Sequence, residues 1–344
     1  MRANRGFSRW VVLLVALHVL VIFAGFFAPY DPTVQDRKDP YLPPMRIHFL
    51  DTQGHLHLRP FVYALKLREG SFDRYEEDPV RAIPLKFFVP GARYRVLGIV
   101  PFGRHFFGAE NERVYLLGSD SFGRDQLSRF LYGGQVSLFA GLFGAGVSLL
   151  LGLTVGAVAG YYGGWRDDLL MRLAELFLAL PWLYLLFALR AFLPLAVSPV
   201  EAFFLVIAVL GGVGWARPAR LVRGVVLSAK ERDFVRAARG FGATNGYLLS
   251  RHILPEASSV LSTQSAILVP QFVLAEMTLS FLGLGVPEPV PSWGNLLSSL
   301  QQYSVLVSYW WMYLPAVLMV PFFLGYLGLG SELQERQEAY KIGK

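Results

Sequence analysis

Six apolar runs, each long enough or nearly long enough to cross a bilayer, constrain this chain more than any other feature. A helix rises ~1.5 Å per residue, so about 20 apolar residues cross a ~30 Å hydrocarbon core. The runs are 10–28, about 136–160, 169–192, 199–216, about 259–283 and 306–329. Hydrophobic residues make up 54% of the 344 and charged ones 17%, below the roughly 25% charged of soluble domains. Apolar blocks of this kind assign the net charge of +7 to loops at a membrane rather than to nucleic-acid binding. The chain has no cysteine, which excludes disulfides, thiolate nucleophiles and cysteine metal sites.

A basic head precedes the first run, as in a secretory signal. The run is long for a signal, however, and "APYDP" follows it in place of an Ala-x-Ala-like cleavage site. It reads as an uncleaved span. Arg2, Arg5 and Arg9 place the N-terminus in the cytoplasm by the positive-inside rule. Six spans return the C-terminal tail to the same side. Arg217, Arg220, Arg223, Lys230, Arg232, Arg236, Arg239 and Arg251, between the fourth and fifth runs, demand a cytoplasmic position, and the span count gives them one. The loops 193–198 and 284–305 hold no Lys or Arg, as outside loops should.

Residues from Asp31 to about Arg129 are polar, mixed in charge and proline-rich. "FVYALKL", "IPLKFFV" and "YRVLGIV" read as short strands. The segment is expected to be a small β-rich extracytoplasmic insert; the alternative is an irregular loop draped on the membrane part. In the second run, Gly152, Gly156 and Gly160 share one helix face and admit close approach of another helix, in the same bundle or in a partner subunit.

The basic segment 230–255, "KERDFVRAARGFGATNGYLLSRHILP", reads as helix, glycine elbow, helix. Phe234, Val235, Ala238 and Phe241 share one face, and Arg232, Arg236 and Arg239 lie mainly on the other. Gly240 and Gly242 end the first helix, Thr244 caps the second, and Pro255 bars its continuation. The residues alone leave two readings open: a membrane-hugging amphipathic loop, or a plug for a groove on another protein.

The segment resembles the loop that permease subunits of ABC importers insert into their ATPase. The family pattern is Glu-Ala-Ala, three residues, Gly, nine residues, then Ile-x-Leu-Pro. Arg236-Ala237-Ala238, Gly242 and His252-Ile253-Leu254-Pro255 match it except at Arg236 and His252. "LLGSDSFGRDQLSRFLYGGQVSL", "GYYGGWRDDLLMR", "LALPWLYL" and "EMTLSFLGLGVPEPVPSWGNLL" are similar to the C-type subunit of the dipeptide, oligopeptide and nickel permeases. The resemblance covers 1–32 and 116–330.

That resemblance implies an all-α polytopic membrane protein with six transmembrane helices. A first span would be followed by the five-helix core of a type I importer, with the β-rich insert outside. The expected divisions are 1–29 (cytoplasmic tail and first span), 30–129 (insert), 130–330 (core, with the coupling loop 217–258) and 331–344 (cytoplasmic tail). The implied function is a permease subunit of a binding-protein-dependent importer of di- or oligopeptides in the prokaryotic inner membrane. Its implied partners are a second related permease, two ATPases, an extracytoplasmic binding protein and the lipid bilayer. The same machinery importing nickel or an oligosaccharide is the alternative. Neither a phosphate loop nor a hydrolase or zinc-protease motif occurs in the chain. Energy is therefore expected from partners that bind ATP and Mg, with no cofactor or metal in this chain.

Site residues follow from the same resemblance. Ala237, Ala238 and Gly242 would pack closely at the ATPase, Leu254 and Pro255 would set the exit angle, and Arg232, Arg236 and Arg239 would meet acidic groups there. Glu276, Ser280 and Trp293 are candidates for the pathway or outer gate. Asp120, Arg124 and Asp125 are candidates for an outer contact; alternatively Asp120 caps a helix and Arg124 pairs with Asp125. Glu175 is expected to pair with Arg172, Arg190 to snorkel outward, and His18 to be a packed histidine. A secondary transporter should show paired broken helices, and a membrane enzyme a polar catalytic cluster; neither pattern is present in the sequence.

Overall fold

The computed structural model describes residues 2–68, 75–96, 98–110, 112–192, 194 and 196–342. Residues 69–74, 97 and 111 of the insert, 193 and 195 of one expected outside loop, and 343–344 of the tail lie outside the described residues. In chain order, α1 (Arg2–Ile22) and α2 (Ala24–Phe27) precede β1 (His48–Leu50), β2 (Leu56–Leu67), β3 (Tyr75–Pro84), β4 (Lys86–Val96) and β5 (Val100–Gly108). Then come α3 (Gln126–Tyr162), α4 (Gly164–Ala179), α5 (Trp182–Phe192), α6 (Pro199–Gly214), α7 (Ala216–Ala229), α8 (Asp233–Gly240) and α9 (Asn245–Tyr247). A π turn (Leu248–Ile253) and a 3-10 turn (Leu254–Ala257) lead into α10 (Ser258–Phe281). After it come α11 (Trp293–Ser298), α12 (Tyr303–Ser308) and α13 (Leu314–Ile342).

Among the described residues three helical stretches, Gln126–Tyr162, Asn245–Phe281 and Trp310–Glu338, are long and apolar enough to cross a membrane. The number is five if two bent pairs each count as one span: α4 with α5, bent by 96°, and α6 with α7, bent by 44°. The first apolar stretch, Phe7–Ile22, is shorter. The third run is therefore not one helix over 169–192. It starts at Gly164 and breaks after Ala179, where Leu180 is extended (φ −82°, ψ 139°). Leu180 precedes Pro181, whose ring disfavours the helical region for the residue before it. The fifth run also differs from the expectation. Pro255 does not end the helical path, which continues from Asn245 to Phe281. Proline has no N–H to donate, and the wide π turn and tight 3-10 turn around it absorb the missing bond.

The described chain forms two compact units. One comprises Met1–Leu14, Leu138–Leu279 and Pro321–Lys344; the other comprises Val15–Ser137 and Ser280–Val320.

In the first unit the glycine stripe of α3 meets α7 of the same chain. Gly152 lies against Trp215, Pro218 and Ala219, Gly156 against Ala219 and Val222, and Gly160 against Arg223 and Val226. A Cβ at Gly160 would come within 2.9 Å of the Arg223 carbonyl oxygen. The missing side chains let the two backbones touch. Arg223 then reaches Asp167 of α4 through two bonds of 2.5 and 2.6 Å, a fork-to-carboxylate geometry.

In the second unit β1, β2 and β3 form an antiparallel sheet, while β4 and β5 form a separate antiparallel hairpin. Phe61, Val62, Tyr63 and Ala64 of β2 are all buried, so this stretch is covered on both faces rather than alternating. Leu42, Met45, Leu85, Val114 and Tyr115 share its core. The side-chain amide of Gln135 donates to the carbonyls of Val21 and Ile22 (3.0 and 3.2 Å), satisfying acceptors at the end of α1.

Candidate functional site

The elbow follows α7. Arg232 is extended (φ −70°, ψ 145°) and α8 starts at Asp233. At its end the Gly242 N–H bonds the Arg239 carbonyl (3.0 Å) and the Ala243 N–H bonds the Ala238 carbonyl (3.1 Å). This pair of bonds is a Schellman stop. It requires a left-handed residue, and Gly242 has φ +87°. Thr244 then caps the next turn, its hydroxyl accepting from the Tyr247 N–H at 3.4 Å. A stop and a start two residues apart make the bend.

Buried Val235, Leu248, Ile253 and Ala257 fix the elbow onto Val222, Val226 and Ala229 of α7. Tyr161 at the end of α3 donates to the Asn245 side chain at 2.7 Å, and the Lys230 ammonium donates to the Gly160 carbonyl at 3.1 Å. The expected single apolar face is split. Val235 is buried and Ala238 half-buried, whereas Phe234 is exposed and Phe241 is 92% exposed. The residues on the α7 side pack into the apolar cluster there, whereas Phe234 meets only the edge of the elbow at the His252 ring, 6.0 Å away, among the described residues. Gly242 and Ala237 are exposed, and nothing lies within 4 Å of a Cβ built on Gly242. Within this chain Gly242 is needed for its backbone conformation rather than for close packing.

Arg236 pairs with Glu231 at 2.6 Å, both exposed. The Arg236 hydrogen bond holds the Glu231 carboxyl below its ordinary value, and the same bond raises Arg236. Arg232 pairs with Glu256 at 3.0 Å, which joins the two ends of the elbow. Arg239 is exposed, Leu254 half-buried and Pro255 exposed.

The other candidates are buried. Asp120 accepts from the N–H groups of Phe122 (2.9 Å) and Arg124 (3.0 Å), closing a turn. Arg124 does not pair with Asp125. It binds Asp120 (2.7 Å) and reaches Glu288 (2.7 Å). Arg129, 2% exposed, binds the other oxygen of Glu288 at 2.8 Å and lies 3.6 Å from Asp120. The cap of α3 is Asp125, not Asp120. One oxygen of Asp125 accepts from the Ser128 N–H (2.7 Å) and hydroxyl (2.6 Å); the other has no hydrogen-bond partner among the described residues. Burial pushes the Asp125 carboxyl up to about 6, against the lowering effect of Ser128. Asp120, Arg124 and Asp125 thus hold the loop from within.

Trp293 is buried, stacked on Phe130 at 5.5 Å, with its indole N–H on the Phe130 carbonyl. Ser280 is buried where Gly285 folds back over it, and Glu276 is buried in α10. Arg172 and Glu175 are both exposed and form no ion pair among the described residues: neither is confined to the geometry the pair requires. Arg190 is buried and donates to the Pro194 carbonyl at 3.1 Å instead of extending to the surface. Arg129, Glu288 and the Asp167–Arg223 pair were not expected from the sequence. The available signals were Arg129 one turn after Asp125, and Glu288 as a lone acid in a proline-rich loop.

Residues 152–331 match the family described as "Binding-protein-dependent transport system inner membrane component". The chain belongs to that family. Among relatives of this inner-membrane component, the "Oligopeptide transport system permease protein OppC" of Haemophilus influenzae is 36% identical over 208 residues, 60% of this chain and 65% of that protein. The "Dipeptide transport system permease protein DppC" of Bacillus subtilis is 34% identical over 219 residues, 63% of this chain and 66% of that protein. The chain thus spans just under two thirds of the length of these relatives. A solved structure described as inward facing conformations of the MetNI methionine ABC transporter aligns with a TM-score of 0.44 at 18% identity, covering 61% of this chain and 95% of that one. At that score the overlay carries no argument.

Proposed function

We propose that this chain is a membrane subunit of an ATP-driven, binding-protein-dependent importer of di- or oligopeptides. The observation that carries the reading is the elbow over 233–255. It is packed onto α7 while Phe234, Arg236, Arg239, Phe241 and Tyr247 are exposed, the arrangement of a helix made to seat in a partner's groove. The names of the relatives favour peptide over nickel or oligosaccharide cargo.

In this reading two ATPases bind ATP and Mg, close on each other and move one elbow each. A second, related permease supplies the other half of the path, and alternating access follows from rigid-body rocking. Arg232 braces the elbow through Glu256, while Arg236 and Arg239 face the ATPase. Ala237 and Ala238 keep the surface low, Gly242 sets the bend, and Leu254 and Pro255 set its exit. Glu276, Ser280 and Trp293 shape the outer end from buried positions. The proposed topology is six spans, the bent pairs and the short first helix each counting as one, with both termini cytoplasmic. The insert faces the binding protein's compartment.

Purification of the chain with its neighbours tests this. The expected outcome is recovery of an ATPase, a second permease and a peptide-loaded binding protein. Gly242→Asp should sharply reduce recovery of the ATPase while leaving the chain in the membrane. Full ATPase recovery by that variant, or a working assembly without any ATPase, overturns the reading.

A further inference from the structure

Among the described residues the β4–β5 hairpin pairs with no other strand. A lone two-stranded hairpin is marginal in water unless another surface covers it. One side is covered by the end of the first apolar stretch. A Cβ at Gly25 of α2 would collide with the Tyr94 ring, and His105 reaches the Ala28 carbonyl at 2.6 Å. The Phe26 and Phe27 rings meet Phe106 at 5.9 and 5.8 Å, and Phe26 meets Phe88 at 6.1 Å. The hairpin is thus fastened to the end of the first apolar stretch.

Beyond these contacts its surface is bare and apolar. Phe87 and Phe88 are 52% and 57% exposed. Side-chain alternation would turn one of two successive strand residues inward. Phe88 sits in the left-handed region, at φ +57°, which is rare for a bulky residue, and both rings stay about half exposed beside Phe106, at 5.6 and 6.0 Å. Ile99, Val100 and Phe102 are also exposed. The charge is one-sided. Lys86, Arg93, Arg95 and Arg104 lie between residues 86 and 108, with no Asp or Glu. Among the described residues none of these three arginines forms an ion pair.

We propose that this hairpin lies in the interfacial layer of the bilayer, in the leaflet where the first apolar helix ends. Its exposed phenylalanines and aliphatic residues sit at the ends of the acyl chains, and its arginines sit on anionic phosphate headgroups. Aromatic rings favour that depth, apolar faces of interfacial elements enter the headgroup boundary, and basic clusters favour anionic lipid. The occupant is lipid because the apolar surface is continuous with the end of a membrane helix and its charge complements the headgroups. With the orientation proposed above, the leaflet is the outer one.

The chain has no native cysteine, so single labels report cleanly. Nitroxides are placed on Phe87→Cys, Val100→Cys and Phe102→Cys in the full chain, in bilayers of phosphatidylcholine with phosphatidylglycerol. Val12→Cys in α1 is the lipid reference, and Leu58→Cys, 97% exposed on β2, the water reference. The three hairpin labels are expected to collide with oxygen several-fold more than with a water-soluble nickel chelate, like Val12→Cys and unlike Leu58→Cys. Combining Arg93→Glu, Arg95→Glu and Arg104→Glu should move that ratio toward the Leu58→Cys value while Val12→Cys stays unchanged, which shows that insertion survives. Hairpin labels as wet as Leu58→Cys overturn the proposal. So do labels shielded from both reagents, which would mean a protein contact, or a ratio indifferent to the arginines. No outcome depends on whether the chain imports peptides.

Discussion

Asp125 combines a helix cap with a buried oxygen that has no hydrogen-bond partner among the described residues, and burial raises its carboxyl to about 6. The folded state therefore binds a proton more tightly than the open loop does. Between the ordinary aspartate value and about 6, stability falls as pH rises; above about 6 this contribution is flat. Its ceiling is about 3 kcal/mol. Melting temperatures measured across that window should show the slope, and Asp125→Asn should remove it; the same slope in both proteins contradicts the assignment. Arg129 is a second test at this scale. It is buried against Asp120 and Glu288, so Arg129→Ala leaves these two carboxylates with Arg124 alone, at about 3 kcal/mol, the upper end for a lost buried partner. Glu288 is half-exposed, and water can replace part of what it loses. Glu288→Gln should cost about 1 kcal/mol. Thermal unfolding followed by tryptophan emission ranks the two; equal losses would show that the cluster does not carry the loop.

Elements meet where glycine leaves room. On α3, Gly156 faces the backbone of α7, whereas Gly146 is exposed with open space around it. Gly156→Val forces α3 and α7 apart and should destabilise by about 1–3 kcal/mol. Gly146→Ala removes a flexible residue from a helix and should stabilise by about 0.5–1 kcal/mol. Heating each variant and measuring the monodisperse fraction separates them. If both behave alike, the seam is looser than described. The elbow follows the same logic with the opposite geometry. Gly242 has room for a side chain but a positive φ, so substitution there changes the bend rather than the packing. Pro255 shows the limit of a local rule: a helix can continue past a proline when a π turn precedes it.

At the scale of the whole molecule the proposed topology assigns each loop a side. With single cysteines at Thr52→Cys, Arg239→Cys and Glu335→Cys, a membrane-impermeant maleimide should label only the first in intact cells and all three after permeabilisation. Labelling of Arg239→Cys from outside would invert the proposed topology and remove the elbow from any ATPase. The apolar runs, the basic loop between the fourth and fifth of them, the glycine stripe on α3 and the helix stop at Gly242 were all legible in the sequence. Each is a property of neighbouring residues: hydropathy, charge and backbone freedom are local. Tertiary structure decided which faces meet. It set the α3 stripe against α7 of the same chain, split Val235 from Phe234 and Phe241, and brought Glu288 to Arg124 across 164 residues of sequence. No spacing rule encodes such pairings. They exist because burial leaves a charged or bare surface only the partners that packing brings within reach.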